Sequence, residues 1–293
     1  MTMTVLVIGA TGKTGSAVVD ALTARGVKAA AATRTPFLTP HGQPARPRDG
    51  VRPVRFDWAD RATWAPALEG AEGLYIVGPY AHPTGEQLVG ELLAEAGSGV
   101  RRVALLSVIG ADRLPPEVMM ADWERDVRSS GAEWTILRPN WFIQNFGNAF
   151  AATLRDKGLL ELPAGDGALS FVDTRDIADV AAAALAEDGH AGQVYDITGP
   201  QSFTYAEALK ILGDAAGRDL TYRAISHEQA AANLRAAGAR ERSITWQRGL
   251  YDLILDGADA PVTDVVERVA GHPARSLAQY AAENAALWRD DEA

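Results

Sequence analysis

Short apolar runs recur along the first half of the chain, at residues 5–8, 28–33, 51–56, 73–77, 103–108 and 134–137, with helical or turn-rich segments between them. Strands alternating with helices in this way predict a parallel sheet wound on both faces. The run Lys28–Thr33 reads KAAAAT and has poor strand propensity, so its place in the alternation rather than its composition makes it a strand. The opening run, Thr4–Ile8, is too short to span a membrane and leads straight into glycines, so it reads as a buried strand and not as a signal sequence. Beyond about residue 140 the rhythm changes to an Ala-rich helix at 174–186, a short strand at 194–197 and several helical stretches from 204 to 288. The expected organisation is a doubly wound α/β domain over residues 1–150, followed by a C-terminal region, 151–293. That region returns late sheet elements at about 171–197 and adds a smaller, mostly helical lobe, which would close a substrate cleft over the carboxyl ends of the strands.

The first strand runs into GATGKTG, Gly9 to Gly15, which holds two phosphate-binding signatures at once. A triphosphate-binding loop needs four residues between its first glycine and Gly-Lys-Ser/Thr, and counting back from Gly12 puts Val7, a strand residue, where that glycine must stand. Gly9, Gly12 and Gly15 instead follow an apolar strand and precede a helical pattern with Val18, Ala21 and Leu22 on one side, which is the context of a Rossmann-type dinucleotide fold. In that reading Gly9 permits the tight turn, Gly12 lets backbone approach a pyrophosphate with Thr11, Lys13 and Thr14 around it, and Gly15 lets the helix pack closely on the strand.

A free ribose 2′-hydroxyl calls for an Asp or Glu at the end of the second strand. The chain has no acidic residue between Asp20 and Asp49; Thr33-Arg34-Thr35-Pro36 stands there instead. A guanidinium can hold a 2′-phosphate, with Lys13 as a possible second cation, so the expected cofactor is NADP(H) rather than NAD. Residues 36–50, with Pro36, Pro40, Pro44 and Pro47, are expected to form an irregular surface loop beside the adenosine end, placed to cover the cofactor.

Composition narrows the remaining classes. With 293 residues, 47% of them hydrophobic, the chain can bury a sizeable core, and the absence of cysteine excludes disulfides, a thiolate nucleophile and cysteine-ligated metals. The five histidines are scattered with no metal-ligand spacing, and no Gly-x-Ser-x-Gly elbow is present. Thirty-eight acidic against 28 basic residues leave a net charge of −10, which repels nucleic acid. The expectation is a cytoplasmic protein with a small-molecule substrate and no membrane or nucleic-acid partner; a homodimer is left open.

Four motifs then resemble the NmrA-like group of atypical short-chain dehydrogenases, with its quinone-reductase-like and ergot-alkaloid-reductase-like branches. They are VIGATGKTG, ATRTP, VRRVALLS at 100–107 and LRPNWFIQNF at 137–146, in the family's order; FVDTRDIADVAAAAL at 171–185 adds a more general similarity. The resemblance implies a Rossmann fold binding NAD(P)H. It also implies that Asp57, beside Trp58, meets adenine, that Gly78 and Pro79 line the cofactor, that Ser107 hydrogen-bonds an acceptor oxygen, and that Trp141, Phe142 and Asn145 wall an aromatic pocket. For Asp57 a helix N-cap before residues 60–69 is an equal alternative, for Ser107 a hydroxyl satisfied by nearby backbone, and for the Trp141 segment the start of a core helix.

Ketone-reducing members of the wider superfamily use a Tyr-x-x-x-Lys pair. None of the four lysines here, at 13, 28, 157 and 210, follows a tyrosine by four residues, and residues 115–127 contain neither type. In that segment Met120, Trp123 and Val127 fall on one core-packing face, with Asp122 and Glu124 expected on a solvated one. Hydride delivery to a ketone leaves an alkoxide that needs a positioned acid, whereas an iminium needs none and a quinone or enone yields a stabilised oxyanion. Tyr80 and His82, in a loop at the nicotinamide end, are candidates for acid or for substrate orientation. Two readings follow: an NADPH-dependent reductase of quinone, enone or iminium-type acceptors, or a non-catalytic NADP(H)-sensing regulator of the NmrA type. An epimerase or isomerase with tightly held cofactor ranks last, since no residue is identified to move its proton.

Overall fold

The computed structural model describes residues 3–35, 48–80, 82, 84–114 and 119–289. Most of the proline-rich loop, and residues 115–118 of the segment expected to carry a catalytic pair, lie outside the described residues.

The first half lays down β1 (Thr4–Ile8), α1 (Lys13–Ala24), β2 (Lys28–Thr33), β3 (Val51–Arg55), α2 (Trp64–Leu68), β4 (Gly73–Val77), α3 (Gly85–Ala96), β5 (Arg102–Leu106), α4 (Met120–Arg128) and β6 (Glu133–Pro139). There follow α5 (Ala151–Lys157), β7 (Leu159–Leu162), β8 (Ala168–Leu169), α6 (Thr174–Ala186), β9 (Gln193–Ile197), β10 (Phe203–Thr204), α7 (Tyr205–Ala216), β11 (Thr221–Ala224), α8 (His227–Ala236), α9 (Glu241–Leu255) and α10 (Leu277–Asn284). Seven strands form one parallel sheet in the order β3-β2-β1-β4-β5-β6-β9. The strand order reverses at β1, and a crevice opens there beyond the carboxyl ends of β1 and β4.

Both faces of the sheet are covered, so its strands are apolar on both sides. Leu6, Ile8, Leu74, Ile76 and Leu105 pack with Trp64, Leu92 and Trp123 of α2–α4, while Val5, Val7, Ala104 and Leu137 pack with Val18 and Leu22 of α1 and Ile177 and Ala181 of α6. β2 lies between β1 and β3 with Ala29, Ala30 and Ala32 buried. Pairing on both edges, not propensity, makes that strand.

A second core, built from Phe146, Leu160, Phe171, Tyr205, Leu212, Ile254, Tyr280 and Trp288, holds the C-terminal lobe together. The lobe carries two small sheets that its helical pattern did not announce, antiparallel β8–β10 and parallel β7–β11. α6 and β9 return to the main sheet, and α9 comes back over the crevice. No helix among the described residues is long and apolar enough to cross a membrane.

Candidate active site

A cavity of about 810 Å³ runs over the carboxyl ends of β1, β2, β4, β5 and β6. One end is the glycine loop. Gly9 has φ +75°, and a Cβ on Gly15 would stand 2.2 Å from the Gly9 carbonyl oxygen, so the start of α1 lies directly on the end of β1. α1 begins with no side-chain cap and no acidic residue in its first turn, which leaves its N-terminal N–H groups and dipole for an anion. Gly9, Thr11, Gly12, Lys13 and Thr14 line the cavity; Gly15, expected with them, is not among the lining residues and packs on the Gly9 carbonyl instead. Arg34 lines the same end beyond Thr33, whose hydroxyl is buried without a partner. An uncapped helix start, a backbone contact that admits only glycine and an arginine where an acid would accept a ribose hydroxyl together fit a phosphorylated dinucleotide.

Lys13 is turned differently from expectation. Its Nζ donates to Asn145 Oδ1 at 2.7 Å, towards the β6 side of β1, whereas Arg34 stands on the β2 side. Partial burial lowers the pKa of its ammonium.

Asp57 and Trp58 line the same cavity. Asp57 Oδ1 accepts from Ala59 N–H at 3.0 Å and its carbonyl from Trp64 Nε1 at 2.9 Å, so Asp57 organises the turn after β3. The helix cap expected of it falls to Asp60, whose side chain accepts from Ala62 N–H. Trp58 sits edge-on to Phe56 and Trp64.

At the other end the wall is aromatic. Trp141, Phe142 and Asn145 line it, in a loop and short 3₁₀ turn rather than at the start of a longer helix. The Trp141 backbone N–H donates to Asn140 Oδ1 at 2.7 Å, its indole N–H to Asp259 Oδ2 at 3.1 Å, and its ring lies 5.1 Å from that of Tyr251. Asp259 is 1% exposed, and burial lifts its carboxyl to about 6 although the Trp141 bond pulls the other way. Tyr80 is not an exposed loop residue. It is packed between Trp123, edge-on at 5.0 Å, and Trp246, stacked at 5.4 Å, and burial raises the pKa of its phenol, which makes it a poor acid.

Other expectations need correction. His82 is not among the described residues lining the cavity, and its Nδ1 lies 3.3 Å from the Thr84 N–H. Pro79 is buried without lining it, whereas Gly78 does line it, with Trp123 so close that a Cβ would meet the indole at 2.3 Å. Glu124 is not on a solvated face. It is 5% exposed, and its Oε1 accepts the Ser107 hydroxyl at 2.6 Å and Arg138 Nε at 2.8 Å, while Oε2 accepts Arg138 Nη2 at 2.7 Å. The Ser107 hydroxyl is therefore satisfied by a carboxylate and not by nearby backbone.

The sequence reading missed the contribution of α9, where Trp246, Gln247, Leu250 and Tyr251 line the cavity. Their spacing of i, i+1, i+4 and i+5 was visible as one helical face. What that face covers depends on a contact far along the chain.

The NmrA-like family model matches residues 1–246. The chain belongs to the NmrA-like family. Among relatives, it is 33% identical over 97% of its length to an NAD(P)H azoreductase of Xenophilus azovorans, covering 99% of that protein. It is 25% identical to an agroclavine dehydrogenase of Claviceps fusiformis, over 98% of this chain and 99% of that one. Among solved structures, the NADPH complex of an NADPH-dependent quinone oxidoreductase from Escherichia coli superposes with a TM-score of 0.78 at 24% identity, covering 96% of this chain and 99% of that one. That likeness establishes the shared fold of this NmrA-like chain.

Proposed function

We propose that the chain is an NADPH-dependent reductase that passes hydride to a flat conjugated acceptor, a quinone, enone or iminium compound, without an acid from the protein. One observation carries the proposal: the glycine-loop and Arg34 end and the aromatic-walled end belong to a single cavity. Within that cavity Lys13 is the one lysine among the described lining residues, and both lining tyrosines, Tyr80 and Tyr251, have phenol pKa values raised by burial.

As an oxidoreductase of the NmrA-like family the chain uses NAD(P)H, and the choice of NADPH rests on Arg34. NADPH supplies the hydride. The chain's own residues bind and orient. The N–H groups at the uncapped start of α1 would hold the pyrophosphate, the Arg34 guanidinium would hold the 2′-phosphate, and Asp57 and Trp58 would border the adenine. Trp141, Tyr251, Tyr80 and Trp246 offer ring faces and edges to a planar acceptor and exclude water from it. Positioning then provides most of the acceleration. An azo bond is another conjugated acceptor, and the azoreductase relative at 33% identity adds azo compounds to the class.

The test is acceptor-dependent NADPH oxidation by purified protein against quinones, enones, iminium ions and azo compounds. Turnover with planar conjugated acceptors and none with simple ketones is expected. Tight NADPH binding without turnover of any acceptor would contradict the proposal and favour a sensor.

A further inference from the structure

The hydrogen bond between Ser107 and Glu124 has a definite direction. Ser107, just beyond the end of β5, is 4% exposed and lines the cavity, while Glu124 lies behind it on α4, 5% exposed. Burial alone would raise the Glu124 carboxyl, but the Arg138 fork and the Ser107 hydroxyl outweigh it and hold the group below the ordinary range. Arg128 Nη2 adds a contact to Oε2 at 3.3 Å. An ionised carboxylate has no hydrogen to give, so the hydrogen in the 2.6 Å contact belongs to the serine. A hydroxyl has one hydrogen and two lone pairs. With its hydrogen committed to Glu124, Ser107 turns lone pairs to the cavity.

We propose that Glu124 is a positioning residue that fixes Ser107 as a hydrogen-bond acceptor towards the cavity, so that the site favours a ligand presenting an O–H or N–H at that point. A carbonyl oxygen there meets lone pair with lone pair. A hydroquinone, amine or hydrazine donates. This reverses the role expected for Ser107 from the sequence, donation to an acceptor oxygen, and agrees with a reaction in which the protein supplies no proton. The identity of the ligand rests on the reductase reading; the direction of the bond does not.

Glu124→Gln offers a way to turn the serine round. The amide must place its NH2 on one side. On the Oε2 side it would face two guanidinium N–H groups, from Arg138 and Arg128; on the Oε1 side it faces one, together with a hydroxyl that can rotate. The second arrangement is favoured, and in it the amide donates to Ser107 and the serine hydrogen points into the cavity.

Calorimetric titration of the NADP+-loaded protein with naphthoquinone, and anaerobically with its hydroquinone, tests this in wild type, Ser107→Ala, Glu124→Gln and the double variant. The ratio of the two affinities is the readout. Ser107→Ala should reduce the preference for the hydroquinone by about threefold to tenfold, the usual worth of one net hydrogen bond. Glu124→Gln should shift it further towards the quinone, and the double variant should match Ser107→Ala, because the side chain at position 124 then has no hydroxyl to orient. A Glu124→Gln ratio equal to wild type, or a shift that persists in the double variant, overturns the proposal. If Glu124→Gln does not fold, an unchanged ratio in Ser107→Ala overturns it alone, as does failure of both ligands to bind wild type. Because the readout is binding, a protein that binds both ligands and reduces nothing would sink the reductase reading and leave this one standing.

Discussion

Lys13 spans the mouth of the cavity, its Nζ 2.7 Å from Asn145 Oδ1, and so ties the glycine loop to the segment after β6. The bond places a cation at the first helical position of α1, beside the proposed pyrophosphate site, and burial lowers its pKa. Lys13→Met should weaken NADP(H) binding by about tenfold, with the loss shrinking at high salt. The sign with pH follows from the lowered pKa. The lysine charge is present at neutral pH and is lost below the ordinary lysine value as pH rises, so wild-type affinity should fall on the alkaline side and that of Lys13→Met should not. Titrations of both proteins across that range check it.

In the proposed reading, the choice of NADPH over NADH rests on Arg34, which lines the cavity. A charge-assisted contact to phosphate contributes about 1.5–3 kcal/mol, so Arg34→Ala should weaken NADPH binding by roughly 10- to 100-fold and leave NADH within about twofold. Parallel titrations with the two cofactors decide it. Equal losses for both would mean that Arg34 supports the loop and not the 2′-phosphate.

The glycine-loop end of the cavity was legible in the sequence because its signals are local. A strand, three glycines and the start of a helix lie within a dozen residues, and the replacement of an acid by Arg34 is read at one position. The sheet was legible too, including KAAAAT, since the alternation demanded a strand between two others. The acceptor end was less so. Glu124 looked solvated on the helical wheel of α4, and its burial is matched by Ser107 beyond β5 and Arg138 on β6, both on other elements. Tyr80 read only as a loop residue, because its partner Trp246 is 166 residues away on α9. Long-range contacts leave no local periodicity to read.

Gly15 is the tightest backbone contact in the glycine loop, since a Cβ would fall 2.2 Å from the Gly9 carbonyl oxygen. Backbone cannot yield as a side chain can, so Gly15→Ala should cost about 1–3 kcal/mol of stability and weaken cofactor binding as α1 moves away from β1. Denaturant unfolding together with NADPH titration measures both. An unchanged affinity would show that the loop tolerates the displacement.

Trp246 reaches the cavity from α9 and stacks on Tyr80. Trp246→Ala should raise KM for planar acceptors by about tenfold, in keeping with the loss of an aromatic contact of roughly 0.5–1.5 kcal/mol beyond its buried area, with little change in NADPH affinity. A matching loss of NADPH affinity would place the ring against the cofactor instead.

Asp259 carries a pH-dependent cost. Its carboxyl is lifted to about 6, first by burial, and its Oδ1 has no partner. The folded state therefore keeps a proton that the unfolded chain releases near pH 4, and stability falls as pH rises from there to about 6. Asp259→Asn keeps an oxygen for the Trp141 indole and removes the charge. It should be more stable than wild type above that window, by up to about 3 kcal/mol, with the advantage vanishing below it. Urea unfolding of both proteins across the window would show the difference opening, and a constant offset would contradict it.

Hydride transfer to carbon can be followed directly with NADPH carrying deuterium in both nicotinamide C4 positions and a planar iminium acceptor, by mass spectrometry and NMR of the amine product. The account predicts one deuterium on the former iminium carbon, retained in ordinary water, with formation dependent on the protein and reduced in Arg34→Ala. Product without deuterium, or no product while NADPH stays bound, would contradict it.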